Sequence, residues 1–153
     1  MPAGFENVQF GGFWVRAVAY VIDRVIISLI ATALGFVIGL VAVLGSPSPD
    51  DARLTIQSPT FTFLFYAVVI LIEMAYFAGQ WTLNSQTFGQ RVMGLRVVDA
   101  NTLQPIRPGT AMLRWIGLVI SFLACYIGVI WAAFDGRKQG WMDKLAGTVV
   151  IRG

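Results

Sequence analysis

Residues 25–44 read VIISLIATALGFVIGLVAVL, a run of twenty with no charged side chain. At about 1.5 Å per residue, an α-helix of that length covers the ~30 Å hydrocarbon core of a bilayer. A lone continuous segment in lipid must satisfy its own backbone N–H and C=O groups, and only a helix does so. The run therefore points to a chain organised around membrane-spanning helices. Composition agrees: 57% of residues are hydrophobic and 12% charged, against about 45–50% and about 25% in soluble domains. Mean hydropathy is +0.73. A water-soluble core cannot hold that much apolar surface.

The helical pattern starts before the uncharged run, so a first span is expected over about 14–44, roughly 46 Å long. That exceeds the hydrocarbon thickness, and its first turns belong in the headgroup layer. Arg16, Asp23 and Arg24 all fall there. Ala31, Gly35 and Gly39 recur at four-residue spacing and suit close helix packing. Residues 45–60, rich in proline and serine, read as a loop. A second span follows over about 60–82, with aromatic residues at both ends and Glu73 as its single charge. A third apolar segment covers about 110–134. It carries two small-residue ridges, Gly117, Ser121 and Cys125, and Ala124, Gly128 and Ala132. Between and after these, LRVVD (95–99) and the β-branched stretch 147–152 are expected to pair as two short strands. The chain, 1–153, reads as a single membrane domain.

The lysines and arginines set the expected topology. The 45–60 stretch holds only Arg53, whereas ten other cations are Arg16, Arg24, Arg91, Arg96, Arg107, Arg114, Arg137, Lys138, Lys144 and Arg152. If the third segment crosses once, they divide six against five; if it dips in and returns, ten against one. The second arrangement obeys the positive-inside bias. The expected fold is therefore an all-α polytopic membrane protein with two transmembrane helices. Its third segment is a re-entrant or interfacial helical hairpin broken near LACYIG, with a third full crossing as the alternative. N and C termini are expected on the cytoplasmic side, with both strands there too.

The chain has one cysteine, Cys125, and no histidine. This removes intramolecular disulfides, histidine-ligated metals and the usual general base. No metal, no cofactor and no enzymatic activity are expected. Residues 1–13 lack a basic leader, and the first apolar run is too long for the core of a signal peptide, so it reads as a retained helix.

Charged groups within spans mark candidate functional positions, since each costs about 2.5–3.5 kcal/mol at a helix centre. Arg16 and Asp23 lie two turns apart on one helix face, about 10.5 Å along the axis. They are too distant to pair, so each is expected to meet a partner from the GQRVMGLR loop or the MDKLAGT tail. Glu73 lies near mid-span and is expected protonated, bonded to Ser28, Thr32 or Ser121, or else to serve a coupling ion or to pair with a basic residue of a partner subunit. Arg114 is expected to snorkel toward the interface. The basic residues suit anionic headgroups and are too scattered for nucleic acid.

Three stretches in order, FWVRAVAYVID, SQTFGQRVMGLRVVD and FDGRKQGWMDKLAGTVVI, resemble the RDD family of small bacterial membrane proteins, named for one arginine and two aspartates. The resemblance implies that Arg16 is the arginine and Asp23 the first aspartate. Asp143 is the second, with Asp135 as the alternative. It also implies a loop motif at Gln86, Thr87, Gly89, Arg91, Gly94 and Arg96, in which Ser85 stands for a usual glycine and Gln90 for a usual lysine. Some members of the family have been proposed as cation/proton antiporters. Two functions are thus expected: a non-catalytic accessory, assembly or scaffold subunit bound to other membrane subunits or to itself, or a small oligomeric antiporter acting through Asp23 and Glu73.

Overall fold

The computed structural model describes residues 8–124 and 127–153. Among these, two helices are long and apolar enough to cross a membrane: α1 (Phe13–Gly45) and α3 (Pro59–Asn84). The chain divides into two compact units, residues 24–73 and residues 1–23 with 74–153.

In the 24–73 unit, the stretch expected as an open loop contains a short helix, α2 (Pro49–Gln57). Ser48 Oγ accepts the Asp51 N–H at 3.2 Å, Pro49 takes the first helical position, and Asp50 and Asp51 sit at the positive end of the helix. Serine, proline and aspartate start helices as readily as they make turns, and here they start one. A Cβ on Gly35 would lie 3.4 Å from Phe65, so that glycine faces α3, whereas nothing lies within 4 Å of a Cβ on Gly39. Leu29, Phe36, Val41, Phe63 and Leu71 are exposed, as lipid-facing residues are.

The other unit holds the first turns of α1, the last turns of α3, and all the later elements. Helix α4 (Phe88–Val92) is capped by Thr87. Gly94, at φ +62°, turns the chain into strand β1 (Leu95–Asp99). Helix α5 (Pro108–Leu123) follows, with Pro108 in its first turn. Next come α6 (Ile127–Ile130), a 3₁₀ turn (Trp131–Ala133), α7 (Trp141–Ala146) and strand β2 (Thr148–Arg152). Gly147, also at φ +62°, ends α7 in the left-handed conformation that glycine adopts without strain.

The expected strand pair forms. β1 and β2 are antiparallel, with Leu95 opposite Arg152, Val97 opposite Val150 and Asp99 opposite Thr148. Residues 9–11 bond to the other side of β2: Gly11 N–H donates to Val150 O, and Arg152 N–H to Gln9 O, both at 2.9 Å. The sheet thus ties residues 9–11, just before α1, to β2. Leu95, Val97, Val149 and Val150 are fully buried, as are Phe77, Trp81, Leu118 and Met142.

The third apolar segment is not one straight helix. α5 ends at Leu123, and the helical stretch 127–133 leaves it at 114°. The small-residue ridges explain how the chain folds back. A Cβ on Gly128 would lie 2.3 Å from Ser121 Oγ, and one on Gly117 would lie 2.7 Å from Met142 Cα. Their missing side chains let α6 and α7 pack against α5. Cys125 lies outside the described residues.

Candidate functional site

Among its described residues, the 1–23/74–153 unit buries eight polar or charged side chains, and most of them form two connected clusters around the start of α1. One centres on Asp143, which is fully buried in the first turn of α7. Its Oδ2 accepts from Arg16 Nη1 at 2.6 Å and from the Gly140 N–H at 2.8 Å. Its Oδ1 accepts from Arg114 Nη1. Arg16 also donates through Nε to Gly11 O at 2.9 Å and through Nη2 to Val150 O at 3.4 Å. One guanidinium therefore links α1, the segment before it, strand β2 and α7.

Burial alone would push the Asp143 carboxyl up, because a charge is poorly solvated inside protein. The Arg114 and Arg16 guanidiniums outweigh that, helped by the Gly140 N–H, and hold it below the usual carboxylate range. Asp143 is thus favoured as an anion between two cations.

Arg114 corrects an expectation. It does not snorkel to an interface; its side chain is 0% exposed. Its Nη1 also donates to Thr148 Oγ1, at the head of β2. Its guanidinium carbon lies 4.8 Å from the centre of the Trp81 ring, whose electron-rich face attracts a cation. A signal for this was present: Ala111, Arg114, Leu118 and Ser121, all buried, follow one helical stripe. Arg114 lies on the inward face with small residues, where it has no route to water.

The second cluster centres on Asp23, which is 1% exposed. Oδ1 accepts from Tyr76 Oη and from the Gly89 N–H, both at 2.8 Å, and Oδ2 accepts from Thr87 Oγ1 at 2.6 Å. Thr87 Oγ1 in turn accepts from the Gln90 N–H at 3.2 Å. Gln90 Oε1 accepts from the Thr87 N–H at 3.0 Å and from Trp81 Nε1 at 3.1 Å. The Asp23 carboxylate, from α1, thereby holds the first turn of α4. That contact requires glycine at position 89, where a Cβ would lie 2.1 Å from Ala19 O. Gln90 replaces the lysine implied by the resemblance, and its neutral amide completes the cap.

Arg16 and Asp23 do not pair with each other; Arg16 meets the tail and Asp23 meets the loop. The loop motif divides. Thr87, Gly89 and Gln90 are buried, while Arg91 and Arg96 are exposed and join neither cluster. Gly94 is half-buried and takes the Gly153 N–H on its carbonyl at 3.1 Å, beside the sheet. Gln86 is half-buried. Asp135 is not part of the Asp143 cluster; its Oδ1 pairs with Lys144 Nζ at 2.6 Å and its Oδ2 caps the 135–139 turn.

Glu73 is the second correction. In the 24–73 unit its Oε1 accepts from Arg24 Nη2 at 2.6 Å, so its partner is a cation on α1 rather than a hydroxyl. Ser28 Oγ and Ser121 Oγ donate instead to the carbonyls of Val25 and Gly117 on their own helices. The pair is less sealed than the Asp143 cluster, with side chains 37% and 16% exposed. Among the described residues no group of three or more Cys, Asp or Glu side chains could hold a metal ion.

The RDD family profile matches residues 10–147. The chain is 33% identical over 148 residues to the uncharacterized membrane protein YteJ of Bacillus subtilis, covering 93% of this chain and 80% of that one. It is 29% identical over 146 residues to the uncharacterized protein YxaI of the same organism, covering 92% and 95%. It is 25% identical over 153 residues to the proline-rich antigen of Mycobacterium leprae, covering 91% and 60%. No solved structure matches. With two membrane-length helices and a family match from residue 10 to residue 147, this chain belongs to the RDD family of membrane proteins.

Proposed function

We propose that this protein is a non-catalytic module of a bacterial cytoplasmic membrane: an accessory, assembly or scaffold subunit whose partners are other membrane subunits or further copies of itself. Its termini lie on the cytoplasmic side, and its basic residues rest on anionic headgroups. The observation that carries this reading is the saturation of its buried acids. Asp143 is held by two arginines and a backbone N–H, and Asp23 by three donors. Groups held this way clamp loop and tail to α1. Extraction in a gentle detergent, with identification of what co-purifies, tests the proposal. A stoichiometric membrane partner or a defined homo-oligomer is expected, and recovery of the free single chain alone would defeat it.

The second reading is a small cation/proton antiporter working as an oligomer through Asp23 and Glu73. The part-exposed Arg24–Glu73 pair favours it, because a pair open to its surroundings can be broken by an arriving cation. Proteoliposome cation/proton exchange that disappears in Glu73→Gln and Asp23→Asn would establish it; no exchange in the unaltered protein would end it.

A further inference from the structure

The tight packing of α7 against α5 at Gly117 leaves an open groove of about 440 Å³ beside it, lined by Gly117, Ile120, Trp141, Lys144 and Leu145. Apart from Lys144 the lining is apolar, and Ile120, Trp141 and Leu145 are exposed. In a membrane protein, an exposed apolar groove on the third apolar segment meets lipid chains. The lysine gives the groove a polarity. Lys144 is half-exposed, its ammonium 5.7 Å from the centre of the Trp131 ring and paired with Asp135. Tryptophan and lysine beside apolar surface are the pairing found at headgroup level. Arg137 and Lys138 lie in the 135–139 turn with Asp135, whose side chain is 15% exposed, so the sequence there supplies two cations besides Lys144.

We propose that this groove seats one anionic phospholipid, its acyl chain between Ile120 and Leu145 and its phosphate on Lys144. This rests on the reading that the protein's basic residues meet anionic lipid, and it narrows that contact to one place. The cation selects an acidic headgroup over a zwitterionic one, and Asp135 weakens the selection without cancelling it.

The test uses the full chain in phosphatidylcholine vesicles containing a small fraction of brominated phosphatidylglycerol or brominated phosphatidylcholine. The readout is the tryptophan quenching lost in Trp141→Phe. Brominated phosphatidylglycerol is expected to quench Trp141 half-maximally at a mole fraction about fivefold lower than brominated phosphatidylcholine, the effect of one cation near an anionic headgroup. Lys144→Gln should bring the two curves together, and Lys144→Arg should keep them apart. A Lys144→Gln protein with the full preference overturns the seat. So does an equal loss in Arg91→Gln/Arg96→Gln, which would leave a diffuse attraction of the basic residues for anionic lipid intact. Quenching by either lipid that rises as the protein is diluted in the bilayer would put a second copy in the groove and also overturns it. No preference in the unaltered protein defeats both the seat and the anionic-lipid reading beneath it.

Discussion

Arg16 and Asp143 stand 127 residues apart in the chain, and their side chains meet at 2.6 Å with almost no exposure to solvent. Each has further partners, but Asp143 is the only acid within reach of two arginines among the described ion pairs.

That asymmetry orders the effects of substitution. Asp143→Asn leaves Arg16 and Arg114 as uncompensated buried charges and is expected to cost about 3–5 kcal/mol. Arg16→Met leaves Asp143 still paired with Arg114 and should cost less. Thermal unfolding in detergent, followed by circular dichroism, gives the ranking; an Arg16→Met protein less stable than Asp143→Asn would contradict it.

Acid should act through the same carboxylate. Its folded pKa is depressed, so its stabilisation is present above the unfolded value of about 3.9 and is lost as pH falls through the lower folded value. Between those two values the unfolded chain binds more protons, and stability rises with pH. Asp99, held low by the Asn101 and Thr102 N–H groups, and Asp135, held low by Lys144, add in the same direction from more exposed positions. Stability profiles from pH 2 to 6 should be flatter in Asp143→Asn than in the unaltered protein; parallel profiles would count against the assignment.

Gly89→Ala should be costly for a local reason. The new methyl would press on Ala19 O and push α4 away from Asp23, an overpacking of about 1–3 kcal/mol or more. Gly79→Ala, in α3 with nothing within 4 Å, should be neutral or stabilising by up to about 1 kcal/mol. Equal melting temperatures for the two variants would refute the close approach.

Asp23→Ala removes the acceptor of three donors at once. Leaving them buried costs about 1–3 kcal/mol for each that stays unsatisfied. The local sign is sharper than the global one: the Gly89 amide, which donates to Asp23 at 2.8 Å, should lose its hydrogen-exchange protection first. Unchanged protection there would show that α4 is held by its own cap alone.

The spans and the strand pair were legible because each follows from a local pattern. A charge-free run of bilayer length has few alternatives, and LRVVD and TVVIR are β-branched segments joined to glycine turns. Helix α2 was legible in principle, since Ser48, Pro49, Asp50 and Asp51 form a helix start, but the same residue types mark turns. That Arg16 and Asp23 meet other stretches followed from their two-turn spacing, which forbids their pairing; the Asp23 donors Tyr76 and Thr87 lie outside the expected loop and tail. Arg114 and Glu73 escaped because their partners lie on other elements, 29 and 49 residues away. A lone arginine in an apolar helix looks alike whether it reaches water or an acid; only the packing of α5 on α7 decides.

The separation of Arg16 from Asp143 also has a meaning in time. At about 5–20 residues per second of synthesis, Arg16 waits roughly 6–25 s after it is made before Asp143 exists. Arg114 is made in that interval too. A nascent chain halted before Asp143 carries both arginines and lacks both the acid that closes them and strand β2. Closure of this cluster is thus timed chemically, by one carboxylate arriving late to two waiting cations.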